Sequence, residues 1–156
     1  MSGMPKKPVR VFLDSNVILS GLISDTGAPR LILDVLSMNI PGLVAVTGRF
    51  NIVEIERNIR KKAPKVLPVY HEYFPKLQLE IMPMPSSAEV AKHSGIIADK
   101  DTPVLVSAIK GRADFLVTGD KKHFEKVKKS VGLPFRVVSP AEFLVALTGF
   151  LKDEQS

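Results

Sequence analysis

The 156-residue chain contains no cysteine. That excludes disulfides, thiolate metal sites and a cysteine nucleophile. No apolar run approaches the ~20 residues that span a bilayer, so no transmembrane helix is expected. The opening MSGMPKKPV lacks the long apolar core of a signal peptide, and the expected location is cytoplasmic. There is no internal repeat, no low-complexity tract and no Gly-rich phosphate loop of either common type. The three histidines, His71, His93 and His123, are scattered without ligand spacing.

What remains is the composition of an ordinary globular domain, 45% hydrophobic and 24% charged. The balance is basic, with 22 Lys and Arg against 16 Asp and Glu for a net charge of +6. A basic surface attracts phosphate backbones whatever their sequence. The charge is concentrated in RNIRKKAPK and DKKHFEKVKK. In these stretches Arg57, Lys61, Lys121, Lys122 and His123 are candidates to contact a nucleic-acid strand, and solvated helix faces are the competing explanation.

Short β-branched runs alternate with helix-like segments. Strands are predicted at Val9–Leu13, Leu43–Val46, Leu77–Met82, Phe115–Val117 and Phe135–Val138. Helices are predicted at Pro29–Met38, Arg49–Lys62, Val66–Phe74, Ala88–Gly95, Pro103–Gly111, Lys122–Val131 and Pro140–Leu147. This alternation predicts an α/β fold, a doubly wound parallel sheet with helices on both faces. One domain is expected over residues 9–150, with 1–8 and 151–156 as loose ends. Ligands of such sheets bind at the carboxyl ends of the strands.

Acidic residues collect at that edge. Asp14 follows the first strand in VRVFLDSNVILSGLIS, and Asp120 follows the strand of ADFLVTGD. Asp101 precedes Pro103 in IIADKDTPVLVSAIKGR, with Asp99 competing for the same position. Each could simply cap the next helix. In GRFNIVEIERNIRKK, Ile52, Ile55 and Ile59 form the core stripe. Glu56 stands four residues before Arg60, the order that favours a surface ion pair. Glu54 aligns with Asn51 and Asn58 beside the core and is the better ligand candidate. Four acids gathered in one pocket repel by about 1 kcal/mol per pair at ~4 Å even in water. A divalent cation removes that cost, and oxygen-only ligation suits Mg²⁺ or Mn²⁺. Such ions support phosphodiester cleavage.

These segments, in this order, resemble the PIN-domain family, in particular stand-alone prokaryotic PIN domains paired with antitoxins. VFLDSNVILSGLIS is similar to the family's opening strand and turn. VEIERNIRK is similar to its helical Glu motif, whose register selects Glu54, and DTPVLVSAIKGRADFLVTGDKKHF to its third block. SPAEFL is similar to its C-terminal signature. The resemblance implies that Asp14, Glu54, Asp101 and Asp120 are catalytic and ligate Mg²⁺ or Mn²⁺. Ser15, Asn16, Thr118, Gly119 and Asp99 would support them. It further implies a ribonuclease acting on single-stranded or structured RNA, an antitoxin protein as partner, a homodimer or higher homo-oligomer, and no membrane. Gly48 departs from the serine frequent in the family, and the loop IIADK displaces one acid of its usual run.

Three rivals carry different chemistry. A non-catalytic RNA-binding module would bind RNA without metal-dependent cleavage. A phosphoacceptor receiver needs a lysine after a late strand, where this chain reads RVVSPAE. An aspartate-nucleophile phosphatase needs an acid two residues after Asp14, where this chain has Asn16. Phe50, Phe74, Phe124 and Phe143 are expected in the core.

Overall fold

The computed structural model describes residues 7–155. Five short apolar segments form the strands β1 (Val9–Leu13), β2 (Leu43–Gly48), β3 (Glu80–Met82), β4 (Phe115–Val117) and β5 (Arg136–Val138). They build one parallel sheet in the order β3-β2-β1-β4-β5. The chain leaves central β1 toward β2 on one side and later returns to pair β4 on the other. Strand order therefore reverses beside β1, which opens a crevice between the carboxyl ends of β1 and β4.

Side chains alternate across the sheet, as the pleat requires. Val11, Leu13, Ala45 and Val117 face one core, and Phe12, Val46 and Leu116 face the other. The first core is covered by α1 (Ser15–Ile23), α2 (Ala28–Leu36), α3 (Arg49–Lys62), α4 (Leu67–Leu77) and α8 (Pro140–Gln155). The second is covered by α6 (Thr102–Lys110) and α7 (Lys121–Val131), with the short α5 (Ser87–Lys92) against α6. Phe124 and Phe143 are fully buried. Phe50 and Phe74 pack against the two cores from partly buried positions.

Packing sets the roll of each helix, and α3 shows how. Ile52, Ile55 and Ile59 are all at most 2% exposed. Each contributes roughly 1.5–3 kcal/mol by burial, well above the ≤1 kcal/mol of a surface ion pair. The isoleucine stripe therefore dictates where Glu54 points. At the start of α8, Ser139 and Glu142 form reciprocal bonds: Ser139 N donates to Glu142 Oε1 at 2.8 Å, and Glu142 N to Ser139 Oγ at 3.2 Å. The SPAE stretch is thus a capping box, which satisfies two orphan N–H groups.

Several boundaries differ from the sequence expectation. The apolar run Val17–Ile23 belongs to helix α1. Its period is hard to read because Leu19 and Ile23, outside the buried face, are also apolar, and Ile23 is exposed. The Arg30 guanidinium donates to the carbonyls of Gly21 and Leu22 at the end of that helix. Leu77 closes α4 rather than opening a strand: Gln78 adopts a left-handed conformation with φ 47°, leaving β3 to Glu80–Met82. Pro75 lies inside α4, two residues before its end, where it forfeits the N–H bond to the carbonyl four residues earlier. Helix α5 is shorter than expected and starts at a Ser86–Glu89 capping box. Helix α8 runs past Leu147 to Gln155, through most of the segment expected to be loose. At the other terminus, most of the expected loose end, residues 1–6, lies outside the described residues.

Candidate active site

Four chain segments deliver carboxylates to the crevice, one of them α3 with Glu54. Asp14 leaves β1 in extended conformation and precedes α1, and its N–H bonds the Val117 carbonyl of β4 at 3.0 Å. Asp120 follows β4 through the Thr118-Gly119 turn, and Asp101 ends a 3₁₀ turn (Asp99–Asp101) before α6. Asp14, Glu54, Asp101 and Asp120 line one pocket of about 190 Å³, together with Ser15, Asn16, Leu19, Asn58, Lys100 and Val104.

Side-chain bonds decide between capping and a site. Asp101 and Asp120 occupy the cap positions of α6 and α7, yet neither side chain makes a capping hydrogen bond. Asp14 accepts from Ser15 N at 2.8 Å but also from two side chains. Asn51 Nδ2 donates to its Oδ1 at 3.2 Å, and Thr118 Oγ1 donates to its Oδ2 at 2.8 Å. A carboxylate offers about four acceptor positions, so one remains open. Thr118 Oγ1 in turn accepts from Asp120 N at 3.0 Å. Asn16 ties the two strand ends together: its Nδ2 donates to Asp120 Oδ2, and its Oδ1 accepts from Gly119 N, both at 3.0 Å. Asn51 also donates to Ser15 Oγ at 2.8 Å.

Burial sets the electrostatics. Asp14 is 6% exposed, and desolvation pushes its carboxyl up to about 6. The bonds from Thr118 and Ser15 pull the other way, and the Glu54 and Asp120 charges add to the rise. Asp101 is buried, and its Oδ2 has no hydrogen-bond partner. His123 Nδ1 lies 3.2 Å from that oxygen but is not aligned as a hydrogen bond. Glu54 is half-buried and Asp120 exposed at the rim. An all-oxygen donor set, a costly buried carboxylate and an unsatisfied carboxylate oxygen fit a hard divalent cation. Among the described residues no three acidic or His side chains are already grouped to hold one.

Other candidates fall elsewhere. Asp99 is exposed and does not line the pocket. Glu56 makes no ion pair with Arg60 among the described residues; instead it accepts from Tyr70 Oη at 2.8 Å. Arg57, Lys61, Lys122 and His123 are exposed. Lys121 is held by Glu142 at 2.8 Å and Glu125 at 3.2 Å. Those carboxylates raise its pKa, while the Lys121 ammonium and the Ser139 N–H lower Glu142 to about 2.

Sequence reasoning missed the role of Asn51 and the place of Lys100 in the pocket lining. Asn51 is fully buried and holds Asp14. Its signal was an amide on a helix face at a core position, one residue before the isoleucine stripe. Around it, Gly48 leaves no room for a side chain. A Cβ there would lie 2.8 Å from Ser107 Oγ and 2.9 Å from Asn51 Oδ1, both buried without hydrogen-bond partners.

Fold and pocket together define a class: a doubly wound parallel α/β domain with an acidic pocket at the carboxyl edge of its central strands. The model of the PIN domain matches residues 10–122, and the chain belongs to that family, whose members are in general nucleases. Similar solved structures include VapBC2 from Rickettsia felis bound to a DNA fragment from its promoter. That match has 16% identity and a TM-score of 0.60, covering 84% of this chain and 98% of that one. DNA-bound VapBC from Salmonella typhimurium matches at 17% identity and a TM-score of 0.59, over 85% and 98%. VapBC-1 from nontypeable Haemophilus influenzae matches at 14% identity and 0.57, over 85% and 99%. At these identities the likeness is one of fold. No curated protein matches the sequence. No helix among the described residues is long and apolar enough to cross a membrane.

Proposed function

We propose that the protein is a Mg²⁺- or Mn²⁺-dependent endoribonuclease that hydrolyses phosphodiester bonds of single-stranded RNA. The observation that carries this is that Asp101 and Asp120 line the pocket of Asp14 and Glu54 without capping the helices they precede. Asp14, Asp101 and Asp120, with Glu54, would hold the ion. When bound, it supplies an activated water and offsets charge developing on the phosphodiester oxygens.

The chain's own residues set up that chemistry. Thr118, Asn51 and the Ser15 N–H hold Asp14 by three bonds, so its remaining acceptor position is aimed rather than mobile. Asn16 fixes Asp120 against the Gly119 turn. Surface Lys and Arg would hold the strand through phosphate contacts, and that binding should weaken with added salt. The VapBC complexes among the similar structures extend the reading to a toxin restrained by an antitoxin.

The test is cleavage of single-stranded RNA in Mn²⁺ by the wild type and by Asp14→Asn. Loss of cleavage in the variant is expected, and equal cleavage by both would reject the assignment. Salt-sensitive RNA binding with no cleavage in any metal would favour the non-catalytic RNA-binding module.

A further inference from the structure

Lys100 lies between Asp99 and Asp101 and lines the acidic pocket with four carboxylates. Its side chain is exposed, and among the described residues no carboxylate stands within ion-pair distance of it. The nearby basic groups differ: Lys121 pairs with Glu142 and Glu125, and His123 Nδ1 stands 3.2 Å from Asp101 Oδ2. A pocket lined by four acids thus carries an ammonium that none of them has captured.

We infer that Lys100 grips the phosphate of the bound strand and takes the place of a second metal ion, so that the pocket binds one divalent cation. This rests on the nuclease reading above. Four ionised carboxylates carry the charge that two divalent ions would balance. One divalent ion and one ammonium leave a single negative charge, and the approaching strand meets a cation at the rim. A lysine ammonium is also chemically suited to the phosphate, being a compact charge with three donors on a flexible stem that can follow a phosphate oxygen. Its backbone is held by the 3₁₀ turn, in which Asp101 N bonds the Ala98 carbonyl at 2.9 Å, so only the side chain needs to move. The same charge opposes the incoming ion. At ~6 Å in water, a single and a double positive charge repel enough to weaken binding about tenfold.

The experiment uses the full chain as wild type, Lys100→Met and Lys100→Arg. Mn²⁺ binding is followed by titration calorimetry, and binding of a labelled oligouridylate in Ca²⁺ by fluorescence anisotropy. The wild type is expected to bind one Mn²⁺. Lys100→Met should bind Mn²⁺ about tenfold more tightly yet hold the oligouridylate several-fold more weakly, and Lys100→Arg should restore strand binding. These opposite signs identify the role. A distorted pocket would weaken both ligands and a solvated lysine would change neither, and either result overturns the inference. Two Mn²⁺ ions on the wild type overturn it as well. If the wild type bound no Mn²⁺ at all, the metal-dependent nuclease reading itself would fail.

Discussion

Replacing Asp14 by Asn should abolish cleavage and at the same time stabilise the metal-free protein. Burial pushes the Asp14 carboxyl from its ordinary 3.8 to about 6. Between those values the folded chain holds a proton that the unfolded chain has released. The contribution of Asp14 to stability therefore falls as pH rises through this window, and above about pH 6 the ionised side chain is a full burden on the fold. The gap is about 2 pH units at ~1.4 kcal/mol each, or about 3 kcal/mol. The substituted amide would keep an oxygen for the Ser15 and Asn51 donors. Its amide nitrogen cannot accept from the Thr118 hydroxyl, and leaving that buried donor without its acceptor costs about 1–2 kcal/mol. The net gain expected at pH 7.5 is about 1–2 kcal/mol. Urea unfolding of both proteins in EDTA, from pH 4.5 to 8, measures it. The advantage of the variant should shrink toward low pH, and Mn²⁺ should stabilise only the wild type. A variant that is less stable at pH 7.5, by an amount independent of pH, would show that the wild-type carboxylate carries no burial penalty.

Other expectations follow from individual contacts. Asn51→Ala removes a buried donor to Asp14 and should cost about 1–3 kcal/mol in denaturant unfolding, with Asp14 titrating higher still by NMR. Gly48→Ala forces a Cβ against Ser107 and Asn51 and should destabilise by about 1–3 kcal/mol, with reduced Mn²⁺ affinity as the further readout. Tyr70→Phe breaks the bond to Glu56 and should cost about 0.5–1.5 kcal/mol while leaving cleavage unchanged, since that pair lies outside the pocket lining.

Much of the fold was legible because its signals are local. The β-branched runs at Val9–Leu13 and Phe115–Val117 coincide with strands, and the isoleucine stripe of α3 with a buried face. Helix α1 was harder, since apolar Leu19 and exposed Ile23 outside its buried face remove the polar contrast that reveals a period. The end of α4 was missed because an apolar run reads equally as helix or strand until a left-handed residue stops it, here Gln78.

By itself the sequence determined which residue types stand at strand ends: Asp14 after β1, Asp120 after β4 and Asp101 before α6. Strand and turn chemistry acts over a few residues and is written in their spacing. Only the tertiary structure decided that those acids meet in one pocket. A purely capping role was excluded by contacts such as Asn16 with Asp120 and Thr118 with Asp14, each spanning 104 positions. The same packing turned Glu56 toward Tyr70, buried Asn51 beneath Asp14 and brought Lys100 to the pocket. Such pairings depend on which strands lie side by side. That order is set by burial of both sheet faces at once, a property of the whole chain rather than of any one segment.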